Sequence, residues 1–167
     1  MRHLFKLGSE LVCTTAVPLV RPSVRAIIIQ NKKLAMVYSC KYGYYKFPGG
    51  GVEPGEAHLD TLIREVSEEV GLEVIPATMR EYGCVHRVQL IREDTLLLQD
   101  NYYYFCDVEM EIHPQHLDAA EAQAGFQLVF TDPYTALKAN HSCVCCSDLM
   151  IEREAKVLEL LIEKEVI

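Results

Sequence analysis

The chain reads as an α/β domain of the α+β type, with a mixed β-sheet flanked by helices. Three observations predict it. The 167 residues are 50% hydrophobic and 24% charged, enough for one core and too apolar for a disordered chain. Apolar runs of strand length stand beside segments with helical spacing. The two kinds of segment follow each other without a regular strand–helix–strand rhythm, so a purely parallel sheet is not expected.

Residues 24–30 (VRAIIIQ) form a buried strand, 31–33 (NKK) a turn, and 34–39 (LAMVYS) a returning partner strand. The glycine-rich stretch from Phe47 to Gly51 is a loop. A helix runs from about Ala57 to Val70, and Gly71 caps its end. Residues 101–108 (NYYYFCDV) and 126–131 (FQLVFT) are strands. Asp132-Pro133 opens a short helix that reaches about Asn140, with proline in the first turn. The last helix spans about 147–165, where Leu149, Met150, Val157, Leu158, Leu161 and Ile162 recur at helical spacing. No repeat or low-complexity segment divides the chain, so one domain covering 1–167 is expected.

The net charge is −8, which argues against a nucleic-acid polymer as partner. The charge is unevenly laid out. Residues 1–48 hold eight bases and one acid, 50–72 hold six acids and one base, and 107–121 hold five acids and no base. No run of 18 apolar residues exists, so no membrane span is expected. The first six residues carry charge too early for a signal peptide, and seven cysteines in a domain of this size point to reduced thiols. Together these features predict a cytoplasmic protein.

The segment 50–72 departs from a merely solvated acidic face because its spacing is regular. Gly50 is followed six residues later by Glu56, and eight residues after that by Arg64-Glu65-Val66-x-Glu68-Glu69-x-Gly71-Leu72. Each helical residue turns by about 100°, so with Glu65 at zero, Glu68 falls near −60° and Glu69 near +40°. The three carboxylates share one stripe. Leu59, Leu62, Ile63, Val66 and Val70 form the core face, which leaves Glu69 at the core edge and Glu68 outward. Arg64 lies next to Glu68 and is not placed to neutralise all three acids. Carboxylates crowded this closely repel one another, and hard divalent cations that prefer oxygen ligands relieve the repulsion.

This segment resembles the Nudix box, G-x5-E-x7-R-E-U-x-E-E-x-G-U with U aliphatic, at every fixed position. Nine such matches arise by chance on the order of 10⁻¹⁰ per window. The resemblance implies the Nudix fold, an α/β/α sandwich, and cleavage of a nucleoside diphosphate linked to another moiety. It implies Mg²⁺ or Mn²⁺ as cofactor and water attack on phosphorus. It implies metal ligation by Glu65, Glu68, Glu69 and the Gly49 carbonyl, with Glu65 also the candidate general base. Arg64 belongs to the same catalytic set, and Glu56 would hold Arg64 and the loop.

For substrate binding, the family's usage points to Arg25 on the first core strand and to Tyr45, which stands where many members carry Trp, and the basic segment before the box adds Lys46, three residues before Gly49. Among Tyr102, Tyr103 and Tyr104, core packing competes with stacking on a base. Glu109, Glu111 and Glu121 are candidates for a further downstream ligand, and spacing selects none of them. Markers for ADP-ribose or dinucleoside polyphosphates are not evident after Leu72. A nucleoside triphosphate, an oxidised nucleotide, a nucleotide sugar and ADP-ribose all stay open.

The His141, Cys143, Cys145, Cys146 cluster has the wrong spacing for zinc and reads as thiols in a loop. His3, His58, His86, His113 and His116 form no pattern. The amphipathic last helix is compatible with a homodimer, which many family members form. A Nudix-fold sensor that binds without cleaving is the alternative, but the intact carboxylates argue against it. They argue equally against an isoprenyl diphosphate isomerase.

Overall fold

The computed structural model describes residues 1–8, 15–143 and 149–167. Strand β1 (His3–Gly8) and strand β2 (Val17–Val20) precede β3 (Ser23–Ile27), which is buried throughout. The short β4 (Ile29–Gln30) turns through Asn31 and Lys32, both at positive φ, into β5 (Lys33–Ser39) and then β6 (Tyr44–Lys46). Helix α1 (His58–Val70) leads through a left-handed Gly71 into β7 (Leu72–Val74). The long strands β8 (Arg80–Arg92) and β9 (Thr95–Phe105) form a hairpin, followed by β10 (Val108–Ile112). Helix α2 (Ala119–Ala124), β11 (Phe126–Thr131), α3 (Pro133–Ser142) and α4 (Leu149–Glu163) complete the chain.

The sheets are mixed. β1 pairs parallel with β8, β8 antiparallel with β9, and both β2 and β3 pair parallel with β9. A second, antiparallel sheet joins β4, β5, β6 and β11, and β7 pairs with β10. Alternation along β3 divides the core in two. Val24 and Ala26 face the α1 side with Leu62, Val66 and Val70. Ile27 joins Met36, Phe47, Tyr103, Val157 and Leu158 on the α4 side. Each such fully buried side chain contributes about 1.5–3 kcal/mol, so both helices are held by their apolar stripes rather than by propensity. The result is helix, sheet and helix in layers.

Two strand expectations change. The strand expected over 24–30 is two strands, because the chain leaves β9 after Ile27 and joins β5 at Ile29. The strand expected over 101–108 begins at Thr95 and ends at Phe105, with Val108 opening a new strand. The β8–β9 hairpin was not visible as a pair, since polar residues such as His86 and Arg87 fall on both faces of β8. The start of the last helix at 147–148, with Cys145 and Cys146, lies outside the described residues. Cys40, Cys84 and Cys106 are free thiols, whereas Cys143 is disulfide-bonded, against the expectation of reduced cysteines throughout. Among the described residues no helix is long and apolar enough to cross a membrane.

Candidate active site

The loop after β6 runs along the edge of β3 almost as another strand. The Ala26 amide donates to the Pro48 carbonyl at 2.8 Å, the Val24 amide donates to the Gly50 carbonyl at 3.0 Å, and Ser23 bridges to Gly51. This close docking explains two glycines. Gly49 has φ 134°, and a side chain there would run into the Val24 carbonyl oxygen. A Cβ on Gly50 would overlap the Glu65 carboxylate. The loop therefore lies directly against α1.

Within α1 the three carboxylates sit at graded depth, as the 100° spacing predicts. Glu69 is 1% exposed, while the Glu68 side chain is 43% exposed. Glu69 accepts the Gly49 amide at 2.9 Å and is ion-paired with Lys46 of β6. Arg64 donates to Glu65 at 2.8 Å and to Glu68 at 3.2 Å. Its Nε donates to Glu56 at 2.9 Å, and its Nη2 donates to Glu56 at 3.0 Å and to the Gly51 carbonyl at 3.4 Å. Arg64 thus reaches two of the three acids, and Lys46 serves the third.

Charge states follow from these contacts. The Arg64 guanidinium, with Thr61 and the Glu53 amide, holds the Glu56 carboxyl down at about 2 against a desolvation effect that opposes it. Glu65 is pushed above its usual value, chiefly by burial, and the nearby Glu69 charge adds to this while Arg64 works against it. Glu121 is likewise raised, first by burial and also by the Glu69 charge.

A cavity of about 290 Å³ opens between the loop, α1, α2, α4 and the β8–β9 hairpin. Glu65, Glu69 and Gly49 line one part of it; Arg21, Arg25, Lys46, Arg87 and Arg153 bring positive charge to the rest. The Arg25 guanidinium donates through Nη1 to the Gly49 carbonyl, and its buried Nε has no hydrogen-bond partner among the described residues. Behind the loop, Glu154 accepts the Phe47 amide at 2.9 Å, the Tyr103 hydroxyl at 3.2 Å and Arg153 Nε at 2.8 Å. Burial alone would raise Glu154, but Arg153, Arg25 and the Phe47 amide hold it below the ordinary carboxylate value.

Of the expected site residues, Gly49, Glu65, Glu69, Arg25 and Lys46 meet in this cavity. Arg64 and Glu68 lie beside it, with Arg64 lining a neighbouring cleft that Glu65 shares. Tyr45 is not among the lining residues. It alternates with Lys46 along β6, packs its ring 4.7 Å from Tyr38, and exchanges backbone hydrogen bonds with the Asn140 side chain. Tyr103 is in the core, and Tyr102 and Tyr104 contact His58. Among the three downstream acids, Glu121 lines the cavity, while Glu109 and Glu111 are exposed on β10. Glu121 also closes a capping box with Asp118. Arg87, Gln99 and Arg153 line the cavity without having been expected there.

The carboxylates and the Gly49 carbonyl form an all-oxygen donor set, which suits a hard divalent cation. Burial of Glu65 beside the Glu69 charge, which raises the Glu65 carboxyl, is the strain that such a cation relieves.

Comparison with known proteins bears on the family and the fold. Over 68 residues the chain is 38% identical to the CTP pyrophosphohydrolase of Escherichia coli (strain K12), covering 38% of this chain and 48% of that protein. It is 41% identical over 54 residues to the RNA pyrophosphohydrolase of Proteus mirabilis (strain HI4320), covering 31% of this chain and 30% of that protein. The chain thus spans less than half the length of these curated relatives. In solved structures, a NUDIX hydrolase from Nitrosomonas europaea superposes with TM-score 0.57 at 19% identity, over 82% of this chain and 88% of that one. A nudix hydrolase family member from Chromobacterium violaceum gives 0.52 at 19% identity, over 86% and 78%. At such identities these two show the shared fold alone. A family model described as the NUDIX domain matches residues 19–137, most of the chain, and the protein therefore belongs to the Nudix family.

Proposed function

We propose that the protein is a pyrophosphohydrolase that cleaves a small nucleotide-type diphosphate with Mg²⁺ or Mn²⁺. One observation carries this reading. A single cavity holds the Glu65 and Glu69 carboxylates, the Gly49 loop and a set of cationic side chains, so it offers both a cation seat and a phosphate seat. Glu65, Glu68, Glu69 and Gly49 would hold the metal, which when bound neutralises phosphate oxygens and acidifies water. Arg25, Lys46 and Arg87 bind the phosphates. Lys46 and Arg25 are engaged with Glu69 and the Gly49 carbonyl, so the cationic side chains already lie next to the oxygens that would hold the metal.

Glu65 takes the proton of the attacking water. The water oxygen forms the new bond to phosphorus, the bridging phosphorus–oxygen bond breaks, and its electron pair leaves with the departing phosphate. Glu121, which lines the same cavity, would add a fourth carboxylate to the site. The names of the relatives offer CTP and RNA as substrate types. The charge of −8 favours the free nucleotide over the polymer.

A panel of nucleoside triphosphates, oxidised nucleotides, nucleotide sugars, ADP-ribose and 5′-triphosphorylated RNA, each with Mg²⁺ and Mn²⁺, tests the proposal by product mass. Metal-dependent cleavage at a diphosphate bond is expected. Binding of a nucleotide without cleavage of any substrate would instead mark a sensor.

A further inference from the structure

We propose that Cys84, His86 and Asp100 form a second metal site, distinct from the acidic cavity, that takes a borderline transition cation of the Zn²⁺ type. The hairpin register assembles it. β8 and β9 pair without a shift between Gly83 and Leu90, so that Cys84 faces Tyr102 across the strands and His86 faces Asp100. Residues two apart on a strand share a face, as do directly paired residues. Cys84, His86 and Asp100 therefore lie together on one face of the hairpin. One ligand atom from each lies within 4.8 Å of the others.

The surroundings support this reading. His3 comes in from β1, whose register also pairs it with Cys84, and its ring stacks on His86 with centroids 4.8 Å apart. His3 thus packs against the outer ring face of His86 and fixes its orientation. Cys84 is 5% exposed, while His86 and Asp100 are half-exposed, which gives an anchored sulfur and an open approach from solvent. His86 and Asp100 hydrogen-bond to each other, an arrangement that satisfies them until a cation replaces the shared proton.

Donor chemistry then selects the ion. Sulfur, nitrogen and a single carboxylate match zinc-like cations, whereas Mg²⁺ prefers oxygen alone. The two metal seats of this chain therefore differ in kind. Alternation along the hairpin places Arg87 and Gln99 on the opposite face, where they line the catalytic cavity. A cation held by Cys84, His86 and Asp100 would pin β8 to β9 at that level and steady the cavity wall.

The test is titration of the whole chain with Co²⁺ as a spectroscopic probe, in the presence of saturating Mg²⁺ to fill the oxygen site. A thiolate-to-cobalt charge-transfer band and tetrahedral visible bands are expected, saturating at one ion per chain. They should be lost in Cys84→Ser and in His86→Ala, and retained in Glu65→Gln. The half-exposed Asp100→Asn, with an unchanged circular dichroism spectrum, checks that loss of the bands is not loss of folding. Absence of a charge-transfer band in the wild-type chain, or its persistence in Cys84→Ser, would overturn the proposal.

Discussion

The Gly49 amide donates to the Glu69 carboxylate at 2.9 Å, so the glycine loop and the box helix are joined by a direct hydrogen bond. The carbonyl of the same glycine accepts from Arg25. One residue is therefore held from both sides, and its position relative to the carboxylates is set by the fold rather than by a ligand. Preorganisation of this kind is what an electrostatic site needs.

Glu69→Gln keeps an acceptor for the Gly49 amide but removes the charge that faces Lys46 and the proposed metal seat. Metal-dependent hydrolysis should fall by at least about 100-fold. The fold should survive, with a stability loss of about 1–3 kcal/mol from the unpaired Lys46. Turnover and thermal melting read the two effects separately. Near-wild-type turnover would remove Glu69 from the site.

Gly50→Ala inserts a Cβ into the space of the Glu65 carboxylate. The carboxylate must move, so hydrolysis should drop by about tenfold or more while substrate affinity changes less. The ratio of kcat to KM effects is the measurement. An unchanged kcat would show that Glu65 is not held where the loop meets the helix.

Glu56 makes a pH prediction. Its folded value is about 2, below the 4.5 of an unperturbed glutamate, so the unfolded chain binds its proton more readily. The stabilisation from Glu56 is fully present above about pH 4.5, and it is lost as pH falls from there through about 2. Glu56→Gln should therefore lower stability at neutral pH and weaken the pH dependence below 4.5. Chemical denaturation at a series of pH values checks it. An unchanged acid limb would mean that Arg64 does not hold this carboxylate.

The Arg153–Glu154 pair is fully buried. Breaking such a pair by removing one partner costs about 3–5 kcal/mol, because the other charge is left uncompensated. Glu154→Ala should show that loss and also release the Phe47 amide at the root of the glycine loop. A melting temperature close to wild type would contradict it.

The depth of each box carboxylate was legible because helical rotation alone separates Glu69 from Glu68. The helix bounds were close as well, since Gly71 marks the end without help from the rest of the chain. Features that depend on distant partners were not. Tyr45 turns away from the cavity because Lys46 beside it turns toward Glu69, and the strand can satisfy only one of them. Choosing Glu121 from three downstream acids needed the packing of α2 against the site. His3 and His86 looked unrelated until the parallel pairing of β1 with β8 brought them face to face. Arg153 was hidden in the apolar stripe of α4, where its partner is its own neighbour, Glu154.

The most direct test of the central claim is hydrolysis of the preferred nucleotide in ¹⁸O-labelled water, with and without Mg²⁺, followed by mass analysis of the products. The predicted result is metal-dependent cleavage with ¹⁸O incorporated into a phosphate-containing product, abolished in Glu65→Gln. Nucleotide binding with no metal-dependent incorporation of ¹⁸O for any member of the panel would contradict it.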